Sequence, residues 1–173
     1  MKNNKRKFKF GFGIFFKTIF FTIAFVLLII AGSILYKANT NPHSVPDVFG
    51  YKPMIVLSGS METSIYEGDL VFVKEVDTDI LKKDDVIAFW NEENTITTHR
   101  IVEIVNENNR TYFKTKGDNN NSEDANLVPV EDVEGIYVSR IPNVGNYLMF
   151  IQEPIGLAVI LLITLLPNLL VVA

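Results

Sequence analysis

The sequence predicts a mainly β domain, a small curled sheet or barrel, flanked by a transmembrane helix at each end. Three observations point there. Two uncharged apolar runs, residues 18–36 and 155–173, bracket the chain. Between them, short runs rich in Val, Ile, Phe, Tyr and Thr alternate with polar breaks, the pattern of strands and turns. No long amphipathic helix pattern appears in that middle stretch, so its core is expected to be built from sheet.

The N-terminus comes first. Residues 1–17 carry Lys2, Lys5, Arg6, Lys7, Lys9 and Lys17 and no acid. The next 19 residues, 18–36, are rich in Phe, Ile and Leu, close to the roughly 20 a spanning helix needs. The basic flank stays on the cytoplasmic side. A cleavable signal peptide is the competing reading, but its apolar core is about 7–15 residues and ends at a small-x-small site. Here the core is longer and its exit reads Tyr36-Lys37-Ala38-Asn39. A retained signal anchor is expected. Residues 155–173 form the second run, interrupted by Pro167, which a membrane helix tolerates better than a soluble one. A second span is expected there, with a buried core helix as its rival. The plan is therefore a basic cytoplasmic segment (1–17), an anchor (18–36), an extracytoplasmic domain (37–153) and a second transmembrane helix (155–173).

Within the middle domain, Asn39 to Pro46 reads as a linker. Strands are expected near Pro53–Leu57, Leu70–Val76, Val86–Trp90, Ile96–Val105, Thr111–Thr115 and Ile136–Ile141. The breaks Glu67-Gly68-Asp69, Lys83-Asp84-Asp85, Asn91 to Asn94 and Asn106 to Asn109 supply turns. Lys116 to Asn126 is polar loop.

Charge narrows the function. Six of the 16 lysines and arginines lie in residues 1–17, leaving ten against 20 acids in the rest. That balance argues against nucleic acid, whose phosphates require a basic face. The chain has no cysteine, which removes disulfides, thiolate catalysis and Cys-based metal sites. Its histidines are His43 and His99. Asp77, Asp79, Asp84 and Asp85 lie close together but lack the loop glycine and terminal glutamate of a calcium hand. A solvated turn is the reading there, and no metal site or cofactor is expected.

Serine needs a partner to take its proton, and histidine, ordinarily titrating near 6.5, suits. His43 sits in a Pro-flanked linker, whereas His99 sits mid-strand in TITTHRIVEIV. A carboxylate is then wanted to orient the imidazole. The loop TKGDNNNSEDA offers Asp118, Glu123 and Asp124. Spacing alone does not join these parts.

A resemblance does. SGSME at Ser58–Glu62, GDLVFV at Gly68–Val73, DDVIAF at Asp84–Phe89, THRIVEI at Thr98–Ile104 and TKGDNN at Thr115–Asn120 fall in the order seen in type I signal peptidases. The match covers nearly all of the outer domain. The common bacterial members use a lysine base, but here that position is His99. The chain therefore resembles the endoplasmic-reticulum and archaeal type, which includes SipW-like enzymes. The resemblance implies Ser60 as nucleophile and His99 as general base. Asp118 and Asp124 both match acidic positions of that subfamily, and which of them meets His99 stays open. In the serine–lysine relatives a hydroxyl two residues before the nucleophile helps bind the oxyanion, which makes Ser58 a candidate. Thr63 stands where the family often has proline. The apolar residues Met61, Ile65, Tyr66, Val71 and Phe72 are expected either to line a groove or meet lipid, or to be ordinary core.

The implied function is a cell-membrane serine endopeptidase that acts on secretory preproteins at the outer face of the lipid bilayer. A membrane complex with the secretion machinery is the implied assembly. Two rivals remain. One is an inactive anchored β-domain that binds or scaffolds secreted proteins. The co-occurrence of serine, histidine and both acids argues against it. The other is a self-cleaving regulatory protease with a serine–lysine dyad, disfavoured by His99, the anchors and the acidic balance.

Overall fold

The computed structural model describes residues 17–26, 28, 29, 32, 33, 36, 45–160 and 162. The chain divides into two units, residues 1–48 and 49–173. In the first, residues 17–26 are helical and so are the described residues from 28 to 36. Phe20, Phe21 and Phe25 are exposed there. Among the described residues no helix is long and apolar enough to cross a membrane. Both expected spans extend outside those residues, as do His43 and most of the basic N-terminus.

The second unit is built on seven strands: β1 (Tyr51–Ile55), β2 (Leu70–Lys74), β3 (Val86–Trp90), β4 (Ile96–Glu107), β5 (Arg110–Lys116), β6 (Val128–Pro129) and β7 (Val133–Ile141). They form one sheet in the order β1-β2-β7-β3-β4-β5-β6, and every neighbouring pair is antiparallel. β1 and β6 are its edges, so the sheet does not close on itself into a barrel. All six expected strands are present. β6 was not anticipated: two residues carry no periodicity, and Pro129 argues against a strand. A helix, Val144–Gln152, was also not anticipated. Its nine residues are too few and too uniformly apolar to display a helical stripe.

The core explains the arrangement. Successive strand residues point to opposite faces, and β3 is buried on both. Ile87 and Phe89 pack with Leu81, Ile101, Phe113 and Val128 on one side. Val86 packs with Met61, Ile65 and Val71 on the other. The β3–β4 turn is organised by Asn91, whose Oδ1 accepts from the backbone N–H groups of Glu93 and Thr95. Asn108 and Asn109 close the β4–β5 hairpin at φ 51° and 65°, the left-handed values a tight hairpin requires.

Edge strand β1 is fastened by a buried ion pair. Lys52 donates to the Glu134 carboxylate and to its backbone oxygen at 3.0 Å. The same carboxylate accepts from Trp90 Nε1 at 2.6 Å. One side chain of β7 thus holds its neighbour β3 on one side and, beyond β2, the edge strand β1 on the other. Next to it, Gly135 has φ 148°, and a Cβ there would stand 2.3 Å from the Lys74 carbonyl. Only glycine fits between β7 and β2 at that point.

Candidate active site

Residues 56–69 leave the sheet between β1 and β2 and return to it. Their ends are tied by Val56 N–H to the Asp69 carbonyl (3.0 Å) and Gly68 N–H to the Val56 carbonyl (2.8 Å). Met61 and Ile65 anchor the excursion with 2% and 1% exposure. With Val71 they are core, whereas Tyr66 stays exposed. This holds Ser60 at the top of a packed turn. Ser58 Oγ lies 3.4 Å from Ser60 Oγ. Thr63 has φ 91°, a value proline cannot take.

Asp69 secures the return of this excursion. Its buried carboxylate accepts from the backbone N–H groups of Tyr66 (3.0 Å) and Asn143 (3.1 Å) and from Arg140 (2.6 Å). Burial pushes its pKa up, but those three donors outweigh burial and hold it below the usual carboxylate value. The turn, the end of β7 and the start of the helix Val144–Gln152 meet on one charge.

His99 lies on β4 opposite Ile87, with 6% exposure. Its Nδ1 is 2.7 Å from Asp124 Oδ2. That oxygen also accepts from Thr115 Oγ1 at 2.6 Å, and Asp124 N–H donates to the Thr115 carbonyl at 2.9 Å. With Nδ1–H given to Asp124, the neutral imidazole keeps its lone pair on Nε2.

Asp118 does something else. Arg100 Nε and Nη2 donate to its two oxygens at 2.8 and 2.6 Å, a bidentate pair. Ser64 Oγ donates at 2.7 Å, and Asp118 N–H points at Met61 Sδ, 3.4 Å away. The hydrogen bond from Arg100 is the chief reason its pKa is depressed, with burial opposing. Asp118 pins the Ser60 turn to β4, while Asp124 meets His99. The next residue reinforces the pin: Asn119 N–H donates to the Ser60 carbonyl (2.9 Å) and its side chain to the Gly59 carbonyl (3.0 Å).

One loop, residues 117–124, therefore touches both halves of the predicted site. Ser60 and His99 share no hydrogen bond with each other here. Catalytic hydrogen bonds often close only when substrate arrives. Arg100, Ser64, Thr115 and Asn119 were not singled out from the sequence. The available signal was Arg100, a charge inside a β-branched strand beside the histidine. Among the described residues no cluster has the make-up of a metal site. Asp77 and Asp85 instead cap local turns, accepting from the N–H groups of Asp79 and Lys82.

No protein-family model matches the chain. Signal peptidase I W of Bacillus subtilis is 42% identical over 121 residues, 69% of this chain and 63% of that protein. The signal peptidase complex catalytic subunit SEC11 of Scheffersomyces stipitis is 30% identical over 141 residues, 77% of this chain and 78% of that protein. Human SEC11C is 30% identical over 109 residues, 58% of this chain and 57% of that protein. The chain thus spans about three fifths of the length of the first of these relatives and of human SEC11C.

Proposed function

Because the chain belongs to the type I signal peptidase family, SipW-like and akin to the endoplasmic-reticulum type, we propose that it removes signal peptides from secreted preproteins. The reading is a membrane-bound serine endopeptidase that cuts after small-x-small sites. The observation that carries it is the part-buried His99–Asp124 hydrogen bond, made by a loop that also grips the Ser60 carbonyl.

In this mechanism His99 Nε2 takes the Ser60 proton as Oγ attacks the scissile carbonyl. The tetrahedral oxyanion is held by the Ser60 backbone N–H and the Ser58 hydroxyl. His99 returns the proton to the leaving amine, and the mature protein departs. Water, activated by the same imidazole, then hydrolyses the acyl-enzyme. Asp124 fixes the tautomer and stabilises the imidazolium. Asp118 is a positioning residue that holds the turn in register. No metal or cofactor enters. The apolar runs 18–36 and 155–173 are proposed as spans, with the basic N-terminus cytoplasmic and residues 37–153 outside the cell membrane. A complex with the secretion machinery is part of the proposal.

The purified full chain in detergent, given a preprotein with an Ala-x-Ala site, is expected to yield the mature N-terminus on sequencing. A preprotein left intact under conditions that preserve the fold overturns the reading. A second prediction concerns Gly117. A Cβ there would stand 2.5 Å from the Ser60 carbonyl oxygen, a backbone atom that cannot swing aside. Gly117→Ala is expected to displace the Ser60 turn and lower kcat about 10²-fold, with a circular dichroism spectrum like that of the parent.

A further inference from the structure

A cavity of about 570 Å³ takes His99 and Asp124 as part of its wall. Ser58, Gly59 and Ser60 do not line it. It lies between the β3–β4 hairpin, with Trp90 as apolar wall, and the segment carrying Leu127. The indole of Trp90 is fixed by its bond to Glu134, so this wall is preformed. Glu92, Glu93 and Asp132 also line the cavity, and among the described residues no lysine or arginine does. Burial, helped by the neighbouring charge of Glu131, raises the pKa of Asp132. A carboxylate in that setting gains from a nearby cation.

The reaction says which part of a substrate lies there. In the proposed mechanism the acyl half ends on Ser60, and the leaving amine collects its proton from the imidazole. The chain beyond that amine therefore passes the histidine ring. A cavity that has His99 in its wall and omits the Ser60 turn lies away from the acyl half.

We propose that this cavity is a subsite for the mature part of the preprotein. It takes a side chain from the first few residues after the scissile bond, favouring long basic side chains over acidic ones. Its volume falls in the range of ordinary binding pockets. The stem of a lysine or arginine packs on Trp90 and Leu127 while the charge reaches the carboxylates, as amphipathic side chains do. This rests on the signal peptidase reading and adds a determinant downstream of the cut.

The test uses the full chain and preproteins that differ at one of the first three mature positions, carrying Lys, Leu or Glu. The expected order of kcat/KM is Lys, then Leu, then Glu, spanning about tenfold from several partly exposed charges and shrinking as salt rises. Glu92→Lys with Glu93→Lys, both at exposed positions, is expected to reverse the order. Equal cleavage of all three preproteins by the parent enzyme overturns the subsite while leaving the peptidase intact. So does an order unchanged in the double variant. Failure to cleave any preprotein overturns the peptidase reading itself, and the subsite with it.

Discussion

Ser60→Ala is expected to lower preprotein cleavage by about 10⁶-fold, and His99→Ala by a similar factor. The decisive measurement is the double variant. A nucleophile and its base act as a unit, so removing both costs little more than removing either. If the two losses multiply instead, His99 does not serve Ser60 and the mechanism is wrong. Thermal unfolding separates this from damage to the fold. Among the described residues Ser60 Oγ has only Ser58 Oγ within hydrogen-bonding range, so its loss leaves no buried group stranded. His99 is different, because it is buried against Phe89 and bonded to Asp124. Its variant is expected to be somewhat less stable as well as inactive.

The second expected result separates the two acids. Asp124→Asn is expected to cost about 10⁴ in kcat, because an amide no longer selects the productive tautomer of His99. Its melting temperature is expected to change little. Asp118→Asn is expected to do the reverse, losing about 1–3 kcal/mol of stability as the Arg100 fork loses its charged partner. The estimate sits below that for a fully buried pair because the Arg100 side chain keeps 31% exposure. Acid sharpens the contrast. The depressed pKa of Asp118 means its contribution is fully present above the ordinary carboxylate value, about 4. It is lost as pH falls through the lower folded value. The parent is therefore expected to destabilise on acidification more steeply than Asp118→Asn, in denaturant titrations from pH 6 to pH 3. A parallel pH dependence in the two proteins would show that the Arg100 pair contributes nothing. Asp69, also depressed, adds to the acid sensitivity of both equally.

The two acids mark the boundary of what the sequence disclosed. The strands were legible because β-branched and aromatic runs such as VIAFW and TITTHRIVEIV sit between turn-forming clusters. Ser60, His99 and the acids were legible as motifs. Their division of labour was not, because Asp118 and Asp124 lie six positions apart in a polar loop. The path of that loop is set by distant contacts, with Arg100, Ser64 and Met61 on one side and Thr115 on the other. The helix Val144–Gln152 was hidden for a related reason. It is held by Asn143 on Asp69 and by the close fit of Gly145 against Ile55 and Gly68, not by a pattern of its own.

The strand order has a consequence for how the protein is made. Vectorial synthesis delivers Ser60 and His99 early, on β1–β2 and on β3–β4 respectively. In the sheet these two pieces are not neighbours: β7 lies between β2 and β3 and pairs with both. Until residues 133–141 emerge from the ribosome, no strand pairing joins the two parts, and side-chain contacts such as Ser64 with Asp118 are what can link them. A nascent chain that already carries Ser60, His99 and Asp124 still lacks the strand that joins the two parts of its sheet.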